Sequence, residues 1–158
     1  MNRRLLLTLL AFAPFVARAQ EADIKGPQPE LPKEKLVIIT RDGARHDFNV
    51  EMALTPQQQT VGLMFRPTVA PDGGMLFDWG QARESQMWMR NTLVPLDMVF
   101  INEDGTIRSI AEDTVPESLA VIDSRGPVRA TLELAGGTTE RLDIRVGDKV
   151  LHKIFGTG

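Results

Sequence analysis

Three features of this sequence predict a mostly β fold, a compact and partly closed barrel of short strands with one or two short helices. Short runs of β-branched, aromatic and long apolar residues recur along the chain. Clusters of Gly, Pro, Asn and Asp interrupt them at close intervals. Helix signals are sparse, and strands joined this closely roll into barrels or tight sheets.

The N-terminus stands apart from this pattern. Arg3 and Arg4 precede an apolar run from Leu5 to Val16, and Ala17-Arg18-Ala19 has the small-x-small form of a cleavage site. Residues 1–19 therefore read as a signal peptide, too short for a membrane span, with cleavage after Ala19. The arginine pair followed by Leu6 and Leu7 also fits a twin-arginine signal. Residues 20–35, with Pro27, Pro29 and Pro32, read as a flexible linker, because so polar a stretch buries little apolar surface.

A single β-rich domain is expected over residues 36–158. Leu36 to Thr40 and His46 to Leu54 flank the turn Arg41-Asp42-Gly43 as a hairpin. Thr55-Pro56 is an N-cap followed by proline at the first helical position, which predicts a short helix through Gln57, Gln58 and Gln59 toward Gly62 or Leu63. Met75 to Phe77 reads as a short strand, and Gln86 to Met89 and Leu96 to Ile101 as strands on either side of Pro95. Asn102 to Gly105 is a turn into a strand from Thr106 to about Ala111. Val128 to Leu134 and Lys149 to Ile154 are the remaining strands, with a helical turn between them from Thr138 to Leu142.

Composition narrows the function classes. Apolar and charged fractions of 42% and 25% over 158 residues are those of one ordinary globular domain. Loss of residues 1–19 removes Arg3, Arg4 and Arg18 and moves the formal charge from -3 to -6. An acidic domain of this kind is a poor partner for nucleic acid or anionic lipid. The absence of cysteine excludes disulfides, thiol catalysis and cysteine-based metal sites. A periplasmic or secreted protein, with no stable membrane span after signal cleavage, is the expectation.

From about Gly62 to Val150 the chain resembles a known bacterial family. The matching segments are Gly62-Leu63-Met64-Phe65-Arg66, Gly74-Met75-Leu76-Phe77, and Met87-Trp88-Met89-Arg90-Asn91-Thr92 with Pro95-Leu96-Asp97. Phe100-Ile101 with Asp104-Gly105, Glu133-Leu134-Ala135-Gly136-Gly137 and Gly147-Asp148 complete the series. These segments resemble, in order, the uncharacterised family called domain of unknown function 192. That resemblance implies a small, often exported, mostly β domain, and it brings no activity or cofactor with it.

The candidate chemistry is polar side chains set in apolar strands. Asp97 lies between Leu96 and Met98, and Glu133 between Leu132 and Leu134. A buried carboxylate must find donors, a cation or a proton, and Arg66 and Arg90 are suitable partners. Such a cluster serves either a ligand pocket or a structural ion network, and pairing within the protein is the commoner fate of buried charge. Asn91 and Thr92 either contact a ligand or satisfy turn backbone. Trp88 serves equally as a stacking platform or as core.

Other chemistries have less behind them. Asp97 with Glu133, or with Glu112, would suit glycoside hydrolysis only at a suitable carboxyl separation. His46 and His152 read as surface histidines far apart in sequence, with no metal-ligand spacing. Met64, Met75, Met87, Met89 and Met98 suggest copper handling, against core packing as the plainer reading. The expectation is an exported binding or accessory module, without catalytic residues, metal or cofactor. Its ligand site is formed by Arg66, Trp88, Arg90, Asn91, Thr92, Asp97 and Glu133, for a small polar or anionic ligand. The alternatives are a polysaccharide hydrolase using Asp97 and Glu133, and a structural envelope protein that docks to a protein partner.

Overall fold

The computed structural model describes residues 24–157, so the expected signal peptide and cleavage site lie outside the described residues. Seven strands form one sheet: β1 (Lys33–Ile39), β2 (Arg45–Ala53), β3 (Met75–Met87), β4 (Leu96–Ile101), β5 (Ile107–Ala111), β6 (Ile122–Ala135) and β7 (Lys149–Leu151). Their order is β5-β4-β6-β3-β2-β1-β7. The edges β5 and β7 come together through the Thr106–Lys149 bridge and the Ile107 N–H, which donates to the Asp148 carbonyl at 2.9 Å. The sheet is thus nearly closed into a barrel, which leaves little free edge.

The β1–β2 hairpin forms as its turn predicts, with the Gly43 N–H donating to the Thr40 carbonyl. β2 and β3 run parallel, so the chain must cross over between them. That crossover holds helix α1 (Pro56–Val61), started by a complete capping box. The Thr55 hydroxyl accepts from the Gln58 N–H, and the Gln58 side chain accepts from the Thr55 N–H. Gln59 ties α1 down by donating to the Ala53 and Asp78 carbonyls at 3.1 and 2.8 Å. Helix α2 (Thr138–Arg141) follows β6.

Four strands differ from expectation in extent. Met75–Phe77 and Gln86–Met87 are the two ends of one strand, β3, while Trp88 and Met89 lie beyond it. Register shifts between Asp78 and Arg83 and between Glu84 and Gln86 bend β3, which lets it continue through exposed, polar residues. β6 likewise starts at Ile122, and the last strand ends at Leu151 before a 3-10 turn at Lys153–Phe155. At the N-terminal end β1 begins at Lys33, and the preceding arm is held down. The Gln28 amide donates to the Gln58 and Gly62 carbonyls, and the Met52 N–H to the Pro32 carbonyl.

The sheet has two apolar faces. Inside the barrel, Leu36, Ile38, Val50, Leu76, Val99, Leu132 and Val150 form the main core. Outside it, Met75, Phe77, Met89, Met98, Phe100 and Val128 form a second layer with Leu63. Burying both faces explains why β4 is apolar on both sides, with all six residues buried.

Candidate functional site

The two carboxylates singled out by the sequence stand on paired strands, and their surroundings are opposite. Asp97 on β4 pairs with Leu134 on β6, so its side chain shares the barrel-side face. It is 0% exposed and takes four hydrogen bonds. Oδ1 accepts from the backbone N–H groups of Asp113 and Gly137 at 2.8 and 3.0 Å. Oδ2 accepts from the Thr139 N–H at 2.7 Å and the Thr139 hydroxyl at 2.9 Å. Asp97 therefore fastens β4 to the start of α2 and to the loop after β5, through three backbone N–H groups and the Thr139 hydroxyl. The Thr139 hydroxyl also lies 3.2 Å from Glu112 Oε1, and Asp97 itself is fully buried.

Glu133 pairs with Met75 on one side and Met98 on the other, and its side chain lies on the outer face. It is 5% exposed, and its Oε2 has no hydrogen-bond partner among the described residues. Burial alone pushes its carboxyl up to about 8. Gly74, at φ 152°, is required beside it, because a Cβ there would meet the Glu133 carbonyl.

Glu133 forms part of the floor of a cleft of about 410 Å³. One wall is α1 with the turn after it, presenting Gln59, Leu63 and Met64; the other is the bent half of β3, presenting Phe77, Trp79, Arg83 and Met87. Trp88 and Thr92 complete the rim. The Arg83 guanidinium lies 4.1 Å from the Trp79 ring centre, and Arg90 lies 5.4 Å from that of Trp88. Trp79 is fixed in place by its Nε1–H, which donates to the Thr131 hydroxyl at 3.2 Å, and by Phe77 at 5.7 Å between ring centres.

Of the residues expected to form one site, Trp88, Thr92 and Glu133 meet in this cleft, with Arg90 stacked on Trp88. The rest are employed elsewhere. Arg66 grips Glu51 with both terminal nitrogens, at 3.2 and 3.0 Å, and Glu51 also accepts from the Leu31 N–H at 2.8 Å. Asn91 occupies the left-handed conformation, φ 55°, and its carbonyl accepts from the Phe65 N–H at 2.8 Å, which is turn work that Asn tolerates well. Asp97 and Glu133 lie on opposite faces of the sheet, an arrangement that counts against the alternative of a two-carboxylate pair for glycoside hydrolysis.

His152 departs from its surface reading. It is buried, with Nε2 2.9 Å from Glu34 Oε2, and burial holds its imidazole below the usual range. Among the described residues no three His, Asp or Glu side chains gather as a metal site.

Sequence reasoning missed Trp79, Arg83 and Gln59 as cleft residues. The available signal was Trp79-x-x-x-Arg83 after an apolar run, where a bend in the strand brings both side chains to one face.

A nearly closed seven-stranded sheet with two short helices makes this a small, mostly β barrel-like domain. The family model for domain of unknown function 192, described as an uncharacterised ACR, matches residues 37–152, and the chain belongs to that family. Among solved structures it is similar to a protein of Sinorhizobium meliloti 1021 described as a candidate transcription regulator. Identity is 50%, coverage is 80% of this chain and 98% of that one, and the TM-score is 0.78. A protein of unknown function from Novosphingobium aromaticivorans is 36% identical, with coverage of 84% and 95% and a TM-score of 0.75. A comparison with curated proteins finds no match.

Proposed function

We propose that this chain is an exported binding or accessory module whose ligand site is the outer cleft. The observation that carries the reading is Glu133, more than nine-tenths buried, with Oε2 unpartnered on the cleft floor. A buried polar group without a partner costs about 1–3 kcal/mol, and folds usually remove that cost. A ligand that pairs with the carboxyl, flanked by Trp79, Trp88 and Gln59, would recover it. The export half of the reading rests on Arg3, Arg4, the Leu5–Val16 run and Ala17-Arg18-Ala19.

A thermal-shift screen of the purified protein against sugars, small anions, peptides and metal ions tests the cleft. A true ligand raises the melting temperature further as its concentration rises. The shift should be lost in Glu133→Gln and weakened in Arg90→Ala, with both variants folded. A ligand whose shift survives both substitutions would place its site elsewhere.

A second reading, docking to a protein partner in the cell envelope, has its own observation. Trp88, Leu93, Val115, Leu119 and Val121 are all exposed, at 38 to 70%. The two loops that carry most of them are joined by hydrogen bonds from Met89 N–H to the Ser118 carbonyl and from Glu117 N–H to the Thr92 carbonyl, both at 3.0 Å. Exposed apolar side chains on joined loops suit a protein contact. Silence across the ligand panel would favour this reading.

A further inference from the structure

The outer half of β3 has an open edge. On one side β3 pairs with β6 from Met75 to Asp78 and again, past the bend, from Arg83 to Met87. On its other side it pairs with β2 only over residues 75–77, so residues 83–87 have no strand there among the described residues. The Ser85 N–H donates to the Ser124 hydroxyl on β6 at 2.9 Å. Among the described residues, the main chain of residues 83–87 makes no other hydrogen bond outside its ladder with β6. On β6, by contrast, the Ser124 and Arg125 carbonyls accept from the Ser109 hydroxyl and the Arg108 side chain, both at 3.0 Å.

This open edge runs along the cleft. Gln86 and Met87 both line it, and consecutive strand residues point to opposite sides, so the cleft borders the edge of β3 and not one face alone. Helix α1 and the turn after it form the facing wall. Where α1 comes closest, the Gln59 amide bridges to the Asp78 carbonyl at 2.8 Å. A free strand edge beside a groove accepts an extended peptide, whose main chain continues the sheet while its side chains read the walls. Sugars and small anions make no use of such an edge.

Charge selects among peptides. The charged side chains that line the cleft are Arg83 and Glu133. Glu133 keeps its proton up to about 8, so Arg83 sets the charge of the cleft at neutral pH. Arg83 is exposed, lies over Trp79, and forms no ion pair with a carboxylate among the described residues. Stacking on an indole leaves the guanidinium N–H groups available in their own plane, where they suit a carboxylate. Arg83 and Glu84, both exposed, also discourage pairing with chance apolar strands.

Resting on the cleft reading above, we propose that the cleft receives an extended, acidic peptide segment of a partner protein. The segment adds as a strand to residues 83–87 of β3 and sets an Asp or Glu side chain against Arg83. Glu133, on the cleft floor, takes its missing partner from the same segment.

The test uses the purified protein and synthetic peptides of about six residues, an ordinary strand length, in which Thr or Val alternates with Asp or Glu. Binding is followed by fluorescence anisotropy of a labelled peptide, and amide hydrogen exchange by NMR. Slower exchange at residues 83–87 is expected on binding. N-methylation of alternate peptide residues should abolish binding in the register whose N–H groups face β3 and spare it in the other. Arg83→Glu, at an exposed position, should weaken acidic peptides by about tenfold or more. It should strengthen binding of a matched set with Lys in place of Asp and Glu. Unchanged exchange at residues 83–87, equal binding of both N-methylated registers, or unchanged affinity in Arg83→Glu would overturn the proposal. Protection of the same amides that rises with protein concentration alone would assign the edge to a second copy of this chain and remove the peptide. If a small compound stabilises the protein through Glu133 and no acidic peptide binds, the peptide fails and the cleft reading stands. If neither binds, both fall.

Discussion

Asp97 and Glu133 are carboxylates of similar burial on adjacent, hydrogen-bonded strands, yet the protein treats them in opposite ways. Asp97 has four donors and fastens three segments together, whereas Glu133 has a free oxygen beneath a cleft. The difference follows from the face each one occupies. The end of the barrel brings three backbone N–H groups to Asp97, because the chain turns there into α2. On the outer face the register neighbours of Glu133 are Met75 and Met98, which have nothing to donate. Burial alone therefore does not mark a functional carboxyl; burial without partners, next to open volume, does.

The comparison is broken most severely by Asp97→Ala. It leaves one buried and two part-buried N–H groups without their acceptor and should cost about 3 kcal/mol, read as a lower denaturation midpoint. Next comes Arg66→Met, which strands Glu51 in its half of a bidentate pair. With the Arg66 side chain 20% exposed, the loss should be smaller, about 2 kcal/mol by the same measurement.

Glu133→Gln should behave in the opposite sense, and pH reveals it. An unfolded Glu gives up its proton near its ordinary 4.5, whereas folded Glu133 keeps it until about 8. Between those values the folded state binds more protons, so this group's contribution to stability falls as pH rises and levels off above about 8. Relative to wild type, Glu133→Gln should therefore gain stability from pH 5 to pH 8, on the order of a few kcal/mol. Parallel denaturation curves across that range would contradict it.

The smallest effect sharpens the comparison from the cleft side. Thr55→Ala removes the cap of α1, the helix that forms one cleft wall, and should cost about 1 kcal/mol. It should raise hydrogen exchange in α1 while leaving the β4 and β6 amides protected.

Much of this frame was legible in the sequence, because its signals are local. Arg41-Asp42-Gly43 sets the first hairpin, Thr55-Pro56 opens α1, and the apolar run Leu96–Ile101 is β4. The long strands β3 and β6 were less legible, since their outer halves are polar and irregular in register, and alternation fades where a strand bends away from the core. The demand that Asp97 be satisfied could be read from Leu96 and Met98 on either side of it. Its partners could not, because backbone donors from Gly137 and Thr139 carry no charge signature. The same limit applied to Arg66, whose partner Glu51 lies in an ordinary strand, and to Trp79 and Arg83, which only the bend in β3 turns into the cleft. The family model matches residues 37–152, a span that takes in both the frame and the cleft, and its description names no activity.

The central claim is that Glu133 is a buried carboxyl without a partner, kept open to the cleft. Following the ¹³C signal of its side-chain carboxyl against pH, assigned through Glu133→Gln, tests that claim directly. The account predicts a midpoint near 8. A midpoint near the ordinary value of 4.5 in the free protein would contradict it, since the carboxylate would then be solvated or paired.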